Sequence, residues 1–106
     1  MGDDPSDRGE GKLDGNKRVM QDDDNVLVFK PQTAEMVARF ARGTRWSIPQ
    51  HWEDYKKQGY TLHFILNKQD KQKYAVLTSP SGDNMVYDRG DNEIPIATLR
   101  KITDIF

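Results

Sequence analysis

The strongest constraint on the fold is a pair of apolar stretches that a short polar tract separates. Within residues 60–66, large apolar side chains stand at every second position: Tyr60, Leu62, Phe64 and Leu66. This period of two is typical of a β-strand with one buried face. The polar tract 67–72 precedes a second β-like stretch, 73–78, so the two stretches are predicted to pair as an antiparallel hairpin.

Shorter patterns extend this hairpin into a larger unit. Strands are predicted over Asn25–Phe29 and Asn84–Asp88, and helices over Ala34–Arg42, over Gln50–Gln58 and from Ile96 onward. The order β-α-α-β-β-β-α predicts the α+β class, as an antiparallel β-meander with short helices packed on one face. The core is expected to come mainly from nine side chains: Val26, Val28, Phe40, Leu62, Phe64, Val76, Leu77, Val86 and Leu99.

The composition changes near residue 24. Residues 1–24 hold eight acidic and four basic side chains but only four apolar ones, which bury too little apolar surface to offset the entropy of ordering. We therefore expect a disordered acidic tail over 1–24 and a single domain over 25–106. The tail is interpreted either as a solvated leader or as an acidic arm that docks on a basic partner or on the chain's own basic face.

Composition also excludes several classes of protein. The chain of 106 residues has no cysteine, which excludes disulfides, thiolate metal sites and a cysteine nucleophile. Its formal charge is −1, its apolar runs are short and no secretory signal is visible. These features predict a cytoplasmic chain that does not engage a membrane.

We find no constellation of residues that indicates catalysis. His51 and His63 lack the spacing of a zinc-binding pair, and Ser47 lies outside any nucleophile elbow. We therefore expect no enzymatic activity, no catalytic residue, no metal, no cofactor and no small-molecule substrate.

One segment combines arginine with tryptophan, and it is the candidate partner-binding surface. Arginine and tryptophan are common at protein-binding hot spots, and the same residue types can hold phosphates and stack on bases. The alternative is that the indoles are core residues beneath a solvated basic face. The candidate residues are Arg39, Arg42, Arg45, Trp46, Trp52, Lys56 and Lys57.

The run Ala41-Arg42-Gly43-Thr44-Arg45-Trp46 resembles the Gly-Thr-Lys-Trp-Cys-Thr-Ala element of small phage-encoded domains with no assigned function. Similar elements follow in the same order, namely Trp52 with Tyr55, then Gly59-Tyr60-Thr61-Leu62, Lys71-Gln72-Lys73-Tyr74 and Asp91-Asn92-Glu93-Ile94-Pro95-Ile96. The resemblance covers residues 25–97 and implies a phage origin and a shared fold. Ser47 stands where the group has cysteine, and an unactivated serine is a poor nucleophile.

Two functional hypotheses follow. The first is a non-enzymatic protein-binding module, as a phage accessory protein or a host-directed inhibitor in the host cytoplasm. The second is a nucleic-acid-binding accessory domain that uses the same basic and aromatic residues.

Overall fold

The computed structural model describes residues 17–106, which form six strands and three helices. The strands are β1 (Lys17–Asp22), β2 (Val26–Pro31), β3 (Thr61–Asn67), β4 (Gln72–Thr78), β5 (Asn84–Tyr87) and β6 (Glu93–Ile94). The helices are α1 (Ala34–Phe40), α2 (Ile48–Lys57) and α3 (Ile96–Arg100). None of these helices is both long and apolar enough to cross a membrane.

The six strands form one antiparallel sheet in which every strand pairs with its neighbours in sequence, β1-β2-β3-β4-β5-β6. The predicted hairpin lies at its centre, where Leu62 pairs with Leu77 and Phe64 pairs with Ala75. This sheet, with its few short helices, confirms the α+β class. The two short additions at the ends of the meander, β1 and β6, were not predicted.

Helices cover both faces of the sheet, so the prediction that they all pack on one face is wrong for α3. One cluster of buried side chains joins α1 and α2 to Phe29, Phe64 and Leu77. We call this side the helical face. A separate cluster on the opposite face joins Leu99 of α3 to Val28 and Ile65. Adjacent residues of a strand point to opposite faces of the sheet, and in the central strands both are buried, as Phe64 and Ile65 show. Each face therefore has to be packed against another part of the chain.

The nine predicted core residues are all buried, from 0% exposure for Val26 and Phe64 to 8% for Phe40. Helix α1 begins as predicted, because Thr33 Oγ1 accepts a hydrogen bond from the backbone N–H of Met36 at 3.1 Å. The predicted ends of the elements differ by a few residues from the observed ones. The prediction therefore identified the centre of the sheet more accurately than its margins.

The predicted tail boundary at residue 24 is wrong, because residues 17–22 form β1 and residues 23–25 form a tight turn into β2. Asp23 closes this turn, since its Oδ1 accepts hydrogen bonds from the backbone N–H groups of Asn25 and Val26 at 2.8 and 2.9 Å. Thr103 holds β1 from the opposite face by donating a hydrogen bond to Gln21 Oε1. Residues 1–16 of the predicted tail lie outside the described residues.

His63 lies half-buried on the face that α3 covers. Its ring meets Phe106 edge-on at a centroid distance of 5.2 Å, and its Nδ1 is buried with no hydrogen-bond partner. Burial, and to a smaller extent the positive charge of Lys30, lower the pKa of His63 to about 4. The folded chain therefore holds this imidazole neutral.

We expect Phe64→Ala to lower the free energy of unfolding by about 3–5 kcal/mol, because the ring is fully buried and contacts three other aromatic rings. Urea denaturation measures this change. Lys57→Ala, on the exposed side of α2, is the control and should change it by less than about 0.5 kcal/mol. Equal midpoints for the two variants would contradict the placement of Phe64 in the core.

We also expect stability to fall as the pH drops from about 6.5 towards 4. The pKa of His63 is about 4 in the folded chain and about 6.5 in the unfolded chain, so protons bind preferentially to the unfolded state in that window. Melting temperatures recorded across this range should fall less steeply for His63→Gln. The control His51→Gln, on the exposed surface of α2, should retain the wild-type slope. Identical slopes for all three proteins would refute the assignment.

Candidate cationic binding surface

The segment between α1 and α2 is fixed to the turn between β5 and β6. Helix α1 ends at Phe40, and the chain then turns at Gly43, whose φ of 79° glycine adopts without steric cost. The backbone N–H of Arg45 then donates to Arg89 O at 2.9 Å, and the indole Nε1–H of Trp46 donates to Asp88 O at 2.6 Å. These two bonds hold Arg45 and Trp46 beside the β5–β6 turn, which is distant in sequence.

Both tryptophans of the predicted surface are buried, with Trp46 only 6% and Trp52 only 5% exposed. The ring of Trp46 stacks on Phe64 with a centroid distance of 5.4 Å and an interplanar angle of 7°. The expectation that the indoles form part of an exposed surface is therefore wrong. They are core residues that fix the backbone from which the exposed arginines project.

Lys73 of β4 joins the sheet to the C-terminal end of α1. Its Nζ donates to the carbonyl oxygens of Phe40 at 2.8 Å and Arg42 at 2.9 Å, and lies 4.8 Å from the centre of the Phe40 ring. These carbonyls lie at the negative end of the helix dipole, where a cation is favourable. Burial lowers the pKa of Lys73, and the positive charges of Arg89 and Arg42 lower it further.

Arg89 completes this group of cations. Its Nη2 donates to Lys71 O at 2.9 Å, while its Nε is buried without a hydrogen-bond partner. Within residues 17–106, no ion pair with a carboxylate joins any member of the group. The nearby Asp88 carboxylate is engaged in its own turn, where Oδ1 accepts from the N–H groups of Gly90 and Asn92. We define the cationic surface as Arg42, Arg45, Lys71, Lys73 and Arg89.

Two backbone positions beside Arg89 are strained. Lys71 has a φ of 64° and Asp91 a φ of 67°, and these are the only non-glycine residues with positive φ in the described part of the chain. A side chain in this left-handed region costs on the order of 1 kcal/mol. Both residues lie in turns between strands, Lys71 before β4 and Asp91 between β5 and β6.

The other predicted site residues do not join this surface. Arg39 pairs with Glu35 at 3.1 Å on the exposed side of α1. Lys56 lies 3.9 Å from the centre of the Trp52 ring and 3.6 Å from Glu53. Lys57 is exposed beside it in the last turn of α2. The ten residues of α2 span about 15 Å, and Arg45 lies just before the opposite end of this helix. Lys57 is therefore far from Arg45.

The C-terminal half of α2 borders a groove of about 300 Å³ at the other end of the helical face. Lys30 and Lys56 supply its positive charges, and Tyr55 and Tyr60, with ring centroids 5.7 Å apart, supply its aromatic wall. Sequence analysis predicted Lys56 and Trp52 in one surface with Arg42. The structure instead assigns them to this groove.

Comparison of the chain with protein-family models, with curated proteins and with solved structures finds no match. The geometry of the described residues is therefore the basis for any functional proposal.

Glycine at position 71 should relieve the backbone strain. We expect Lys71→Gly to unfold with a free energy about 1 kcal/mol higher than that of Lys71→Ala, because both variants remove the charge and only glycine removes the clash at φ 64°. Denaturant titration of the two variants measures the difference. If Lys71→Ala is the more stable variant, residue 71 does not hold the left-handed conformation.

Proposed function

We propose that this chain is a non-enzymatic protein-binding module that captures an acidic surface of another protein. The observation that carries the proposal is the cationic surface itself, in which the positive charges of Arg42 and Arg89 act on Lys73 and no member forms an ion pair with a carboxylate among the described residues. Like charges repel, so such a group costs stability unless a partner neutralises it.

The backbone beneath the surface is rigid before any partner binds. Trp46 and Lys73 fix the segment 42–46 through hydrogen bonds to the β5–β6 turn and to the end of α1. A surface that is already ordered loses little conformational entropy on binding. The side chains of Arg42 and Arg45 are exposed and form no hydrogen bond or ion pair within residues 17–106, so their guanidinium groups are available to carboxylates.

Two observations favour a protein over a nucleic acid as the partner. Burial of Trp46 and Trp52 leaves neither indole with a free face on which a base could stack. Residues 17–106 carry fourteen basic and twelve acidic side chains, a charge of only about +2, which is small for a surface that binds phosphates along a strand. The nucleic-acid hypothesis remains as the alternative outcome of the experiment below.

The resemblance to small phage-encoded domains gives the proposal its finer form. The module would act as a phage accessory protein or as an inhibitor of a host protein in the host cytoplasm. An inhibitor of this kind needs a surface that blocks a partner and no catalytic group of its own. The cationic surface meets that requirement.

The test is quantitative capture of proteins from a bacterial lysate, with and without nuclease treatment, by the immobilised chain and by its Arg42→Glu/Arg45→Glu variant. We expect the variant to fold, because both side chains are exposed and neither forms a hydrogen bond or ion pair within residues 17–106. We expect it to capture at least about tenfold less protein, because a repulsive charge costs more than a lost contact. Circular dichroism and thermal melting check the fold.

Lys57→Glu/Lys101→Glu is the matched control, because it makes the same change in charge at two exposed residues outside the cationic surface. It should capture at the wild-type level. If both double variants lose capture equally, net charge and not this surface governs binding. If nuclease abolishes capture and affinity for single-stranded DNA falls steeply with salt, the nucleic-acid alternative is correct.

A further inference from the structure

Strand β1 presents an edge that no other strand within residues 17–106 covers. Unpaired N–H and C=O groups along such an edge form a template for another strand. Met20, near the middle of β1, is 44% exposed and is one of only two exposed large apolar residues in the described chain. The β1 edge therefore combines unpaired backbone with exposed apolar surface.

A β-bulge divides β1 and determines which face each of its side chains occupies. Val19 pairs with Phe29, but Gln21 pairs with the adjacent Val28, so Met20 is the additional residue. Directly paired residues share a face of the sheet. Val19 therefore points to the helical face with Phe29, whereas Gln21 points to the opposite face with Val28.

The same rule places the two ends of β1. Lys17 pairs with Pro31 and Asp22 pairs with Leu27, and both partners share the helical face with Phe29 because they lie two residues from it along β2. Arg18 pairs with Lys30 and so shares the opposite face with Gln21. Without the bulge, Lys17 and Asp22 would stand on opposite faces, because five residues separate them.

We propose that β1 pairs with β1 of a second copy of this chain, antiparallel and about a two-fold axis between Val19 and Met20. In this register Lys17 lies opposite Asp22 of the second copy, on the same face. Arg18 then lies opposite Gln21, also on one face, and Val19 lies opposite Met20 at the centre. The sequence Lys-Arg-Val-Met-Gln-Asp thus places opposite charges together at both ends of the interface and apolar residues together at its centre.

The pairing joins two six-stranded sheets into one sheet of twelve strands. A bulge on an edge strand commonly discourages pairing, but this bulge brings the opposite charges onto one face. Six residues span about 20 Å, so the interface is small and the dimer is expected to be reversible, with a Kd of about micromolar order. The dimer does not depend on the proposed function, because the β1 edge lies outside the cationic surface.

The test reverses the charge of Lys17 in one variant and the charge of Asp22 in another, and then mixes the two variants. In Lys17→Asp two acids would face each other at each end of the interface, and in Asp22→Lys two bases would. Sedimentation velocity of the full chain should show a dimer for the wild type and a Kd at least about tenfold higher for each variant alone. An equimolar mixture of the two variants should dimerise again, because every end then carries one acid and one base.

Asp22→Lys also removes the ion pair with Lys68, so thermal melting must first show that each variant is folded. Met20→Lys is the second test, since it adds a charge at the centre of the edge, changes only an exposed side chain and should also prevent dimerisation. A monomeric wild type at several hundred micromolar would overturn the proposal, whether or not residues 1–16 cover the edge. So would a dimer that the variants leave unchanged, or a mixture that stays monomeric.

Discussion

The packing of Phe64 against two other aromatic rings is the interaction on which the rest of the structure depends. Phe64 packs against Phe40 at a centroid distance of 4.7 Å and against Trp46 at 5.4 Å, with interplanar angles of 22° and 7°. These contacts join the central strand to the end of α1 and to the segment that leads into α2. Offset stacking adds about 0.5–1.5 kcal/mol per pair beyond the area that the rings bury. The position of the exposed arginines follows from these buried rings.

The centre of the sheet could be predicted because its signal is local. The alternation of large apolar side chains around Leu62 and Phe64 appears within seven residues and indicates a β-strand. The second covered face left a signal too, because Phe64 and Ile65, like Ala75 and Val76, are adjacent apolar residues, which indicates burial on both sides. Strand β1 gave almost no such signal. An edge strand is stabilised mainly by backbone bonds, so charged residues at Lys17, Arg18 and Asp22 are compatible with it.

The cationic surface could be predicted only in part, because its members come from three separate segments. Arg42 and Arg45 were visible as neighbours of the tryptophans. Lys71, Lys73 and Arg89 become their neighbours only through the register of β4 and the bond from Arg45 N to Arg89 O, and neither is encoded locally. The composition of arginine with tryptophan was ambiguous for a physical reason: an indole suits both a core and an interface, and only the completed packing around Trp46 separates the two.

The balance of charge around Lys73 explains how so many cations are held together. Its ammonium group is stabilised by the carbonyl oxygens of Phe40 and Arg42 and by the face of the Phe40 ring, and it forms no ion pair with an acid among the described residues. These carbonyl groups and this ring carry only partial charges, so they stabilise one cation without forming ion pairs with the neighbouring cations. A carboxylate at the same position would have paired with Arg42 or Arg89 and reduced the positive potential of the surface. The surface thus keeps its positive charge while hydrogen bonds hold its backbone, and this combination is the basis on which we propose an acidic partner.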